Sequence, residues 1–270
     1  MNSETRPARL RRTNGATIAY RTIAGKSPGI VFMTGYRSRM EGAKALALEA
    51  YARATGRAFT RFDYTGHGDS EGDFESSILS TWIDDTVAII DEVAKGPLVL
   101  AGSSMGAWIM LRVALARQER VAGLLGIAAA PDLTQHLMWD LFDDATRQRI
   151  MDGETLRAPS GEGDSETVIT RALIEDGRRH LVLQQSIALH VPVRLLHGLG
   201  DDIVPWTLSE MLLAQLESAD ASLTLIKDGG HRLSKPHELG MLVQAIDALC
   251  RLGEQQNHTG AAASAARPSR

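Results

Sequence analysis

The sequence predicts an α/β protein in which helices cover both faces of a mostly parallel β-sheet. Short apolar runs alternate with longer stretches that carry apolar residues every three to four positions, as strands and helices do in such a protein. The alternation stops between residues 131 and 187 and then resumes, which predicts a helical lid inserted over one end of the sheet. At 270 residues, the chain has a suitable length for one α/β domain with such an insertion.

Seven strands are predicted. The first, from Thr17 to Ile23, is expected at an edge of the sheet. The run from Gly29 to Thr34 is almost continuously apolar, which is typical of a buried strand. The other five predicted strands are Ala58 to Asp63, Leu98 to Ala101, Val121 to Ala128, Val193 to Leu196 and Leu223 to Ile226.

Helices are predicted between these strands and within the insertion. The stretch from Glu41 to Ala54 is rich in alanine, leucine and glutamate, which are strong helix formers, and Gly56 is expected to end it. The insertion is expected to hold two helices separated by a polar loop from Gly153 to Glu166. The remaining predicted helices are Ser80 to Ala94, Met105 to Arg117, Leu133 to Met151, Thr167 to Leu183, Leu208 to Leu216 and Pro236 to Leu249.

The two ends of the chain differ from the part between them. Residues 1–12 include four arginines and no apolar stretch, which predicts a basic N-terminal tail. Residues 253–270 are rich in alanine, serine, glutamine and glycine without an apolar period, which predicts a disordered tail. The folded domain is therefore expected to span residues 13–252, with the lid insertion at about 131–187.

The composition argues against several classes of protein. A net charge of −4 disfavours general affinity for nucleic acid or an anionic membrane, and no apolar run approaches the ~20 residues of a membrane span. The single cysteine, Cys250, allows neither an intramolecular disulfide nor an all-cysteine zinc site, and the histidines lack metal-ligand spacing. We therefore expect no cofactor, no metal and a cytoplasmic protein. The N-terminal arginines leave a mitochondrial location as the alternative.

The segment from Gly102 to Gly106, GSSMG, matches the pattern G-x-S-x-G with Ser104 at its centre. An apolar strand precedes this segment and a predicted helix follows it. That is the setting in which a nucleophilic serine projects from a tight turn at the end of a sheet. Glycine is expected at both flanks because a side chain there would clash with the neighbouring strand and helix. The alternative is an ordinary Gly/Ser turn, and the context favours a nucleophile.

A nucleophilic serine needs a base, and the base needs a carboxylate to orient it. His231 follows the last predicted strand in a glycine-rich loop and is the candidate base. Asp201 and Asp202 both follow the preceding strand, and neighbouring loop side chains point in different directions, so only one of them is expected to reach His231. Asp201 is favoured because two glycines before it let the chain turn inward, whereas Asp202 is expected to cap a turn or the next helix.

Acyl transfer develops negative charge on the carbonyl oxygen, which needs fixed hydrogen-bond donors. One predicted donor is the backbone N–H of Met105, directly after the candidate nucleophile. The other is the backbone N–H of Tyr36, because Gly35 lets the chain turn after the Gly29–Thr34 strand. Two further histidines are given structural roles: His67 as a hydrogen-bonded loop residue and His197 at the end of a strand.

Together these residues resemble the α/β-hydrolase superfamily from about Gly29 to Leu249, and within it the branch of palmitoyl-protein thioesterases and acyl-glucuronide esterases. The resemblance implies the α/β-hydrolase fold and places the acid at the first aspartate of the pair, Asp201. The sequence lacks the long N-terminal extension of the mitochondrial members of this branch. The segments that carry the likeness are GYRSRMEGAKALALE from Gly35, RFDYTGHGDSEG from Arg61, GSSMGAW from Gly102, RLLHGLGDDIVPW from Arg194 and DGGHR around His231.

The expected function is hydrolysis of carboxylic esters or thioesters through an acyl-enzyme on Ser104. Its substrate would be a small-molecule or lipid-acylated ester or thioester, and the resemblance implies long acyl chains. Haloperoxidase-like chemistry, carbon–carbon hydrolysis and a non-catalytic ligand-binding module remain as alternatives. The apolar residues of the insertion either pack onto the core or line an acyl pocket; they are Leu133, Leu137, Met138, Leu141, Phe142, Val168, Ile169, Leu173 and Leu181.

Overall fold

A computed structural model describes residues 6–13, 15–159 and 166–265 of the chain. Its main sheet has eight strands in the order β1-β2-β4-β3-β5-β6-β9-β10, and strands β7 and β8 form a separate hairpin. The strands are β1 (Ala8–Arg11), β2 (Thr17–Ile23), β3 (Lys26–Met33), β4 (Arg57–Phe62), β5 (Leu98–Ser103), β6 (Val121–Ile127), β7 (Leu156–Pro159), β8 (Glu166–Ile169), β9 (Val193–Gly198) and β10 (Ala221–Ile226).

The sheet is parallel from β4 to β10 in its spatial order, and β1 and β2 join it antiparallel at one edge. The central strands consist almost entirely of buried residues, as the apolar runs predict, because helices exclude water from both of their faces. Since parallel strands end at the same edge, the loops after β3, β5, β9 and β10 converge there. These loops carry the candidate site residues.

Two groups of helices cover the two faces, in agreement with the predicted fold class. Helices α1 and α8 pack on one face through residues such as Leu48 and Ile246, and α2, α3 and α7 cover the other with Trp82 and Trp108 fully buried. The helices are α1 (Ala43–Thr55), α2 (Leu79–Ala88, continued by a π-helical turn at Ile89–Val93), α3 (Met105–Ala116), α4 (Leu133–His136), α5 (Asp144–Met151), α6 (Arg171–Arg178), α7 (Thr207–Gln215) and α8 (Pro236–Ala265).

The insertion differs from the two helices that the sequence predicts. The first predicted helix is split into α4 and α5, because the side chain of Asp143 accepts a hydrogen bond from the backbone N–H of Thr146 and starts a new helix there. The polar loop and the start of the second predicted helix contain the antiparallel hairpin of β7 and β8. Thr167, Val168 and Ile169 are β-branched and favour a strand, and Thr170 then caps α6 by accepting from the N–H of Leu173.

The two predicted tails are also partly structured. Ala8–Arg11 forms strand β1, so β2 is not an edge strand, and Leu10 packs against the core. The following Arg12 forms an ion pair with the buried Asp85, which anchors this basic segment. At the other end, α8 continues to Ala265, and the glutamines and alanines of this extension favour a helix. Its Glu254 forms an ion pair of 2.9 Å with the buried Arg57.

Within the residues that the structure describes, no helix combines the length and apolar character that crossing a membrane requires.

Candidate active site

Ser104 lies on a strained turn between β5 and α3. Its backbone has φ 55° and ψ −122°, a conformation that is costly for a residue with a side chain. The turn is held by a hydrogen bond of 2.9 Å from the N–H of Ser104 to the carbonyl of Ile127 on β6. The serine side chain is thereby presented at the edge of the sheet where the parallel strands end.

The glycines on either side of this turn are required by close packing, as the motif predicts. A Cβ atom on Gly102 would lie 2.4 Å from the carbonyl oxygen of Gly106 in α3. A Cβ atom on Gly106 would lie 2.4 Å from the carbonyl oxygens of both Met33 and Thr34 at the end of β3. These contacts involve backbone atoms, which cannot move aside without shifting a strand or a helix.

We expect Gly106→Ala to lower the free energy of unfolding by about 3 kcal/mol or more, because the added methyl group overlaps two carbonyl oxygens of β3 and its loop. Gly240→Ala is the matched control, since Gly240 is an exposed residue of α8 whose Cβ would meet nothing within 4 Å. This control should raise the free energy of unfolding by up to about 1 kcal/mol. Urea denaturation of both variants measures the difference, and equal stability of the two would contradict the packing argument.

Asp201 and His231 are brought together from the loops after β9 and β10. Oδ2 of Asp201 accepts a hydrogen bond of 2.8 Å from Nδ1 of His231. Oδ1 accepts from the backbone N–H groups of Ile203 at 3.0 Å and Val204 at 2.8 Å. Burial alone would raise the pKa of Asp201, but the hydrogen bonds from His197 and His231 outweigh it and lower the pKa well below its ordinary value. The carboxylate is therefore ionised at neutral pH.

The neighbouring Asp202 is exposed, and among the described residues its carboxylate makes no hydrogen bond. The expectation that it caps the next helix is wrong, because α7 begins without a side-chain cap. The backbone turn after Gly200 directs the first aspartate inward and the second towards solvent. This is the difference in direction that the sequence predicts for adjacent loop residues.

Ser104 and His231 both line a cavity of about 550 Å³ at this edge of the sheet. The structure records no hydrogen bond to Ser104 Oγ from any residue it describes. The cavity lining includes apolar residues of the insertion and of the loop after β9, which we call its apolar side. These apolar lining residues are Leu133, Leu137, Met138, Phe142, Ile169, Ile203 and Val204.

The apolar residues of the insertion thus divide between the two roles that the sequence left open. Five of the nine line the cavity with Ser104, as given above. Val168 and Leu173 are buried and Leu181 is partly buried, and none of these three lines the cavity. Leu141 is 72% exposed and packs in neither place.

The two predicted oxyanion donors lie beside Ser104. A Cβ atom on Gly35 would be 3.3 Å from the Cβ of Ser104, so the loop after β3 passes directly along the serine. In the described part of the chain, the N–H of Tyr36 has no hydrogen-bond partner. Met105 is the first residue of α3, where backbone N–H groups lack partners within the helix. Within the described residues, neither N–H group has a recorded hydrogen-bond partner.

His67 holds the loop that carries Tyr36. Burial lowers the pKa of His67 to about 4, so its ring is neutral at neutral pH. Nε2 accepts a hydrogen bond of 3.2 Å from the backbone N–H of Arg37, and Nδ1 donates to the carbonyl of Thr65 at 3.2 Å. The expectation of a hydrogen-bonded loop histidine is confirmed, but the sequence does not reveal that one of its partners is the loop after β3.

The same loop is also joined to the insertion. The hydroxyl of Tyr36 donates to the carbonyl of Val168 on β8 at 2.5 Å, and its ring packs edge-on against Phe74 and Trp82. Arg37 donates from Nη1 to the carbonyl of Glu166 at 3.0 Å. The hairpin of β7 and β8 is therefore hydrogen-bonded to the segment beside Ser104, and a movement of the hairpin would displace that segment.

A strained serine beside a hydrogen-bonded His–Asp pair, at the carboxyl edge of a parallel sheet, is the arrangement of the α/β hydrolases. Residues 30–240 match the family model described as Alpha/beta hydrolase family. The chain belongs to this family and is a hydrolase.

Within the family, the chain is similar to palmitoyl-protein thioesterase ABHD10, mitochondrial. It is 39% identical to the protein of that name from Pongo abelii over 240 residues, which cover 89% of this chain and 78% of that one. The solved structure of α/β hydrolase domain-containing protein 10 from mouse superimposes with a TM-score of 0.85 at 37% identity, covering 91% of this chain and 98% of that one. A second solved structure, of a protein from Agrobacterium vitis S4, superimposes with a TM-score of 0.86 at 34% identity, covering 92% of this chain and 98% of that one.

Proposed function

We propose that this chain is a serine hydrolase that cleaves carboxylic esters or thioesters, with Ser104 as nucleophile, His231 as general base and Asp201 as the residue that orients the base. The observation that carries the proposal is the 2.8 Å hydrogen bond between His231 Nδ1 and Asp201 Oδ2 beside the strained Ser104. Because an ionised carboxylate only accepts, the hydrogen of this bond belongs to Nδ1. The other ring nitrogen, Nε2, is then free to accept a proton from Ser104.

In the first step, Ser104 Oγ attacks the acyl carbon while His231 Nε2 takes the hydroxyl proton. The ring becomes a cation, which the buried carboxylate of Asp201 stabilises. The negative charge on the carbonyl oxygen is accepted by the N–H groups of Tyr36 and Met105. The contact between Ser104 and His231 forms when substrate is bound, since catalytic hydrogen bonds are often long or absent in free enzymes.

In the second step, His231 gives its proton to the departing alcohol or thiol, and an acyl-enzyme on Ser104 remains. Water then enters the cavity, and the neutral ring takes a proton from it as it attacks the acyl carbon. Collapse of this second intermediate returns the proton to Ser104 and releases the carboxylic acid. Each step uses side chains and backbone groups of the protein alone.

We propose a long acyl chain as the part of the substrate that lies in the cavity. The apolar side of the cavity, from Leu133 to Ile203, offers a surface on which methylene groups can be buried. The relatives named palmitoyl-protein thioesterase support this choice, because the name describes a lipid-acylated substrate of those proteins. Hydrolysis of a series of thioesters from acetyl to palmitoyl tests it, and a maximum at acetyl would contradict it.

We expect Leu137→Trp to lower kcat/KM for palmitoyl thioester about tenfold or more and to leave acetyl thioester nearly unchanged. The larger side chain would fill the apolar side of the cavity that a long chain needs. Leu141→Trp is the matched control, because Leu141 is 72% exposed and does not line the cavity. Equal chain-length profiles for the two variants would show that the acyl chain does not occupy this side.

We also propose that the protein acts in the cytoplasm. The single cysteine of the chain, Cys250, is free and buried, which supports a reducing compartment such as the cytoplasm. The mitochondrial location in the relatives' names belongs to those proteins. Fractionation of cells that express the full chain with a C-terminal tag tests the proposal, and recovery with mitochondria would contradict it.

A further inference from the structure

A second imidazole contacts the carboxylate oxygen that holds His231. His197, at the end of β9, has its Nε2 3.1 Å from Oδ2 of Asp201 and does not line the cavity. The side chains of His197 and Asp201 are both 0% exposed. Oδ2 therefore lies between two histidine rings, only one of which reaches the cavity.

The partners of His197 fix the position of its proton. Nε2 lies 3.1 Å from Asp201 Oδ2 and 3.0 Å from the carbonyl oxygen of Val204, and both of these atoms only accept. Nε2 therefore carries a hydrogen, which the two acceptors share. Nδ1 lies 2.7 Å from the hydroxyl of Ser209, on α7. In the neutral ring Nδ1 accepts, so the Ser209 hydroxyl donates to it.

We propose that His197 and Ser209 are positioning residues that hold the carboxylate of Asp201 in the orientation that His231 needs. The inference rests on the proposed function, since Asp201 must act on His231. The two backbone N–H groups fix Oδ1, and the N–H of His197 fixes Oδ2, so the carboxylate cannot rotate about its Cβ–Cγ bond. The hydroxyl of Ser209 complements this tautomer of His197 and holds the ring in place through Nδ1.

Donation from an uncharged imidazole would also preserve the charge of the carboxylate. A cation at this position would pair with Asp201 and weaken the attraction between Asp201 and the His231 cation formed during attack. The neutral N–H restrains the carboxylate without neutralising it. At metal sites, hydrogen-bond partners that orient a ligand contribute about 10- to 100-fold to activity, and we expect an effect of this size here.

The test compares two substitutions of comparable size. His197→Gln keeps an N–H donor near the position of Nε2, whereas His197→Leu fills the space without a donor. The full-length variants are treated with a fluorophosphonate, and labelling of Ser104 is followed over time. The rate is divided by the final extent of labelling, which measures how much of the protein is folded and reactive. We expect His197→Leu to slow labelling about 10- to 100-fold and His197→Gln to recover most of this loss. In steady-state hydrolysis of an ester substrate, His197→Leu should lower kcat and leave KM nearly unchanged.

A double-mutant cycle separates positioning from a purely structural role. In the Asp201→Asn background, His197→Leu should cause almost no further slowing, because its effect is transmitted through the carboxylate. The inference would be overturned if the loss in the double variant equalled the product of the two single-variant losses. It would also be overturned if His197→Leu were labelled as fast as the unsubstituted protein. Ser209→Ala should show a smaller loss that disappears in the same background.

The outcome is distinct from a failure of the proposed function. If the unsubstituted protein is not labelled at Ser104, the proposed function fails. If it is labelled and His197→Leu labels equally fast, only the role of His197 and Ser209 fails.

Discussion

Ser104→Ala should reduce hydrolysis of a chromogenic acyl ester by at least about 10³-fold, to a residual rate from substrate binding and the oxyanion donors alone. The hydroxyl is the atom that forms the acyl bond, and its loss removes the covalent route. The substitution deletes one oxygen from a partly buried side chain that makes no hydrogen bond within the described chain. The folded state should therefore be nearly unchanged.

Ser222→Ala is the matched control for this experiment. Ser222 is an exposed residue of β10 and does not line the cavity. Its loss should leave the rate within about twofold, as is usual for surface substitutions. Activity of Ser104→Ala at the level of this control would refute the assignment of the nucleophile.

Asp201→Asn should lower kcat by about 10⁴-fold, while Asp202→Asn should change it by no more than about twofold. An amide at position 201 can donate to Nδ1 of His231, which would place the ring proton on Nε2, where it blocks acceptance from Ser104. Asp202 is exposed and lies outside this hydrogen-bond network. Steady-state kinetics of the two adjacent variants, prepared in parallel, measure the difference.

The pair also decides between the two aspartates. A large loss in Asp202→Asn with normal activity in Asp201→Asn would show that the loop rearranges in the working enzyme. Equal, large losses in both would indicate that the loop after β9 acts as a unit. The structure predicts neither result, because only Asp201 accepts from His231.

The parts of the fold that sequence predicts well are those in which local pattern and tertiary environment agree. The run from Gly29 to Thr34 is apolar because both faces of β3 are covered, so its composition alone identifies it. The pattern around Ser104 is equally informative, because a tight strand–turn–helix permits few residues other than glycine at positions 102 and 106. Parallel strands then bring Asp201 and His231 to the same edge.

The insertion was predicted less well because its structure depends on contacts that sequence spacing does not show. The stretch from Thr167 to Leu183 fits a helical period, yet its first three residues pair with β7, and the second of them, Val168, accepts a hydrogen bond from the hydroxyl of Tyr36. Asp132, at the entrance to the insertion, accepts hydrogen bonds from the N–H groups of Val182 and Leu183 near its exit. Such closure between distant positions follows from the folded chain, not from a local pattern.

The sequence predicts structural roles for His67 and His197, but for a related reason it does not predict their hydrogen-bond partners. His67 and His197 each follow or end a strand, which is an ordinary position for a structural residue. Their roles depend on which atoms face their ring nitrogens, namely the N–H of Arg37 and the carboxylate of Asp201. The only available signal was the spacing of four residues between His197 and Asp201, which becomes informative once both are known to turn towards the same loop.

The central claim is that the acyl group of the substrate passes through Ser104. The most direct measurement is rapid acid quenching of the enzyme during turnover of a palmitoyl thioester, followed by mass spectrometry of its peptides. We predict one added palmitoyl group, located on the peptide segment that contains Ser104 and absent from Ser104→Ala. Product formation with the acyl group on another residue, or with no acylated peptide under conditions that trap an acyl-enzyme, would contradict the account.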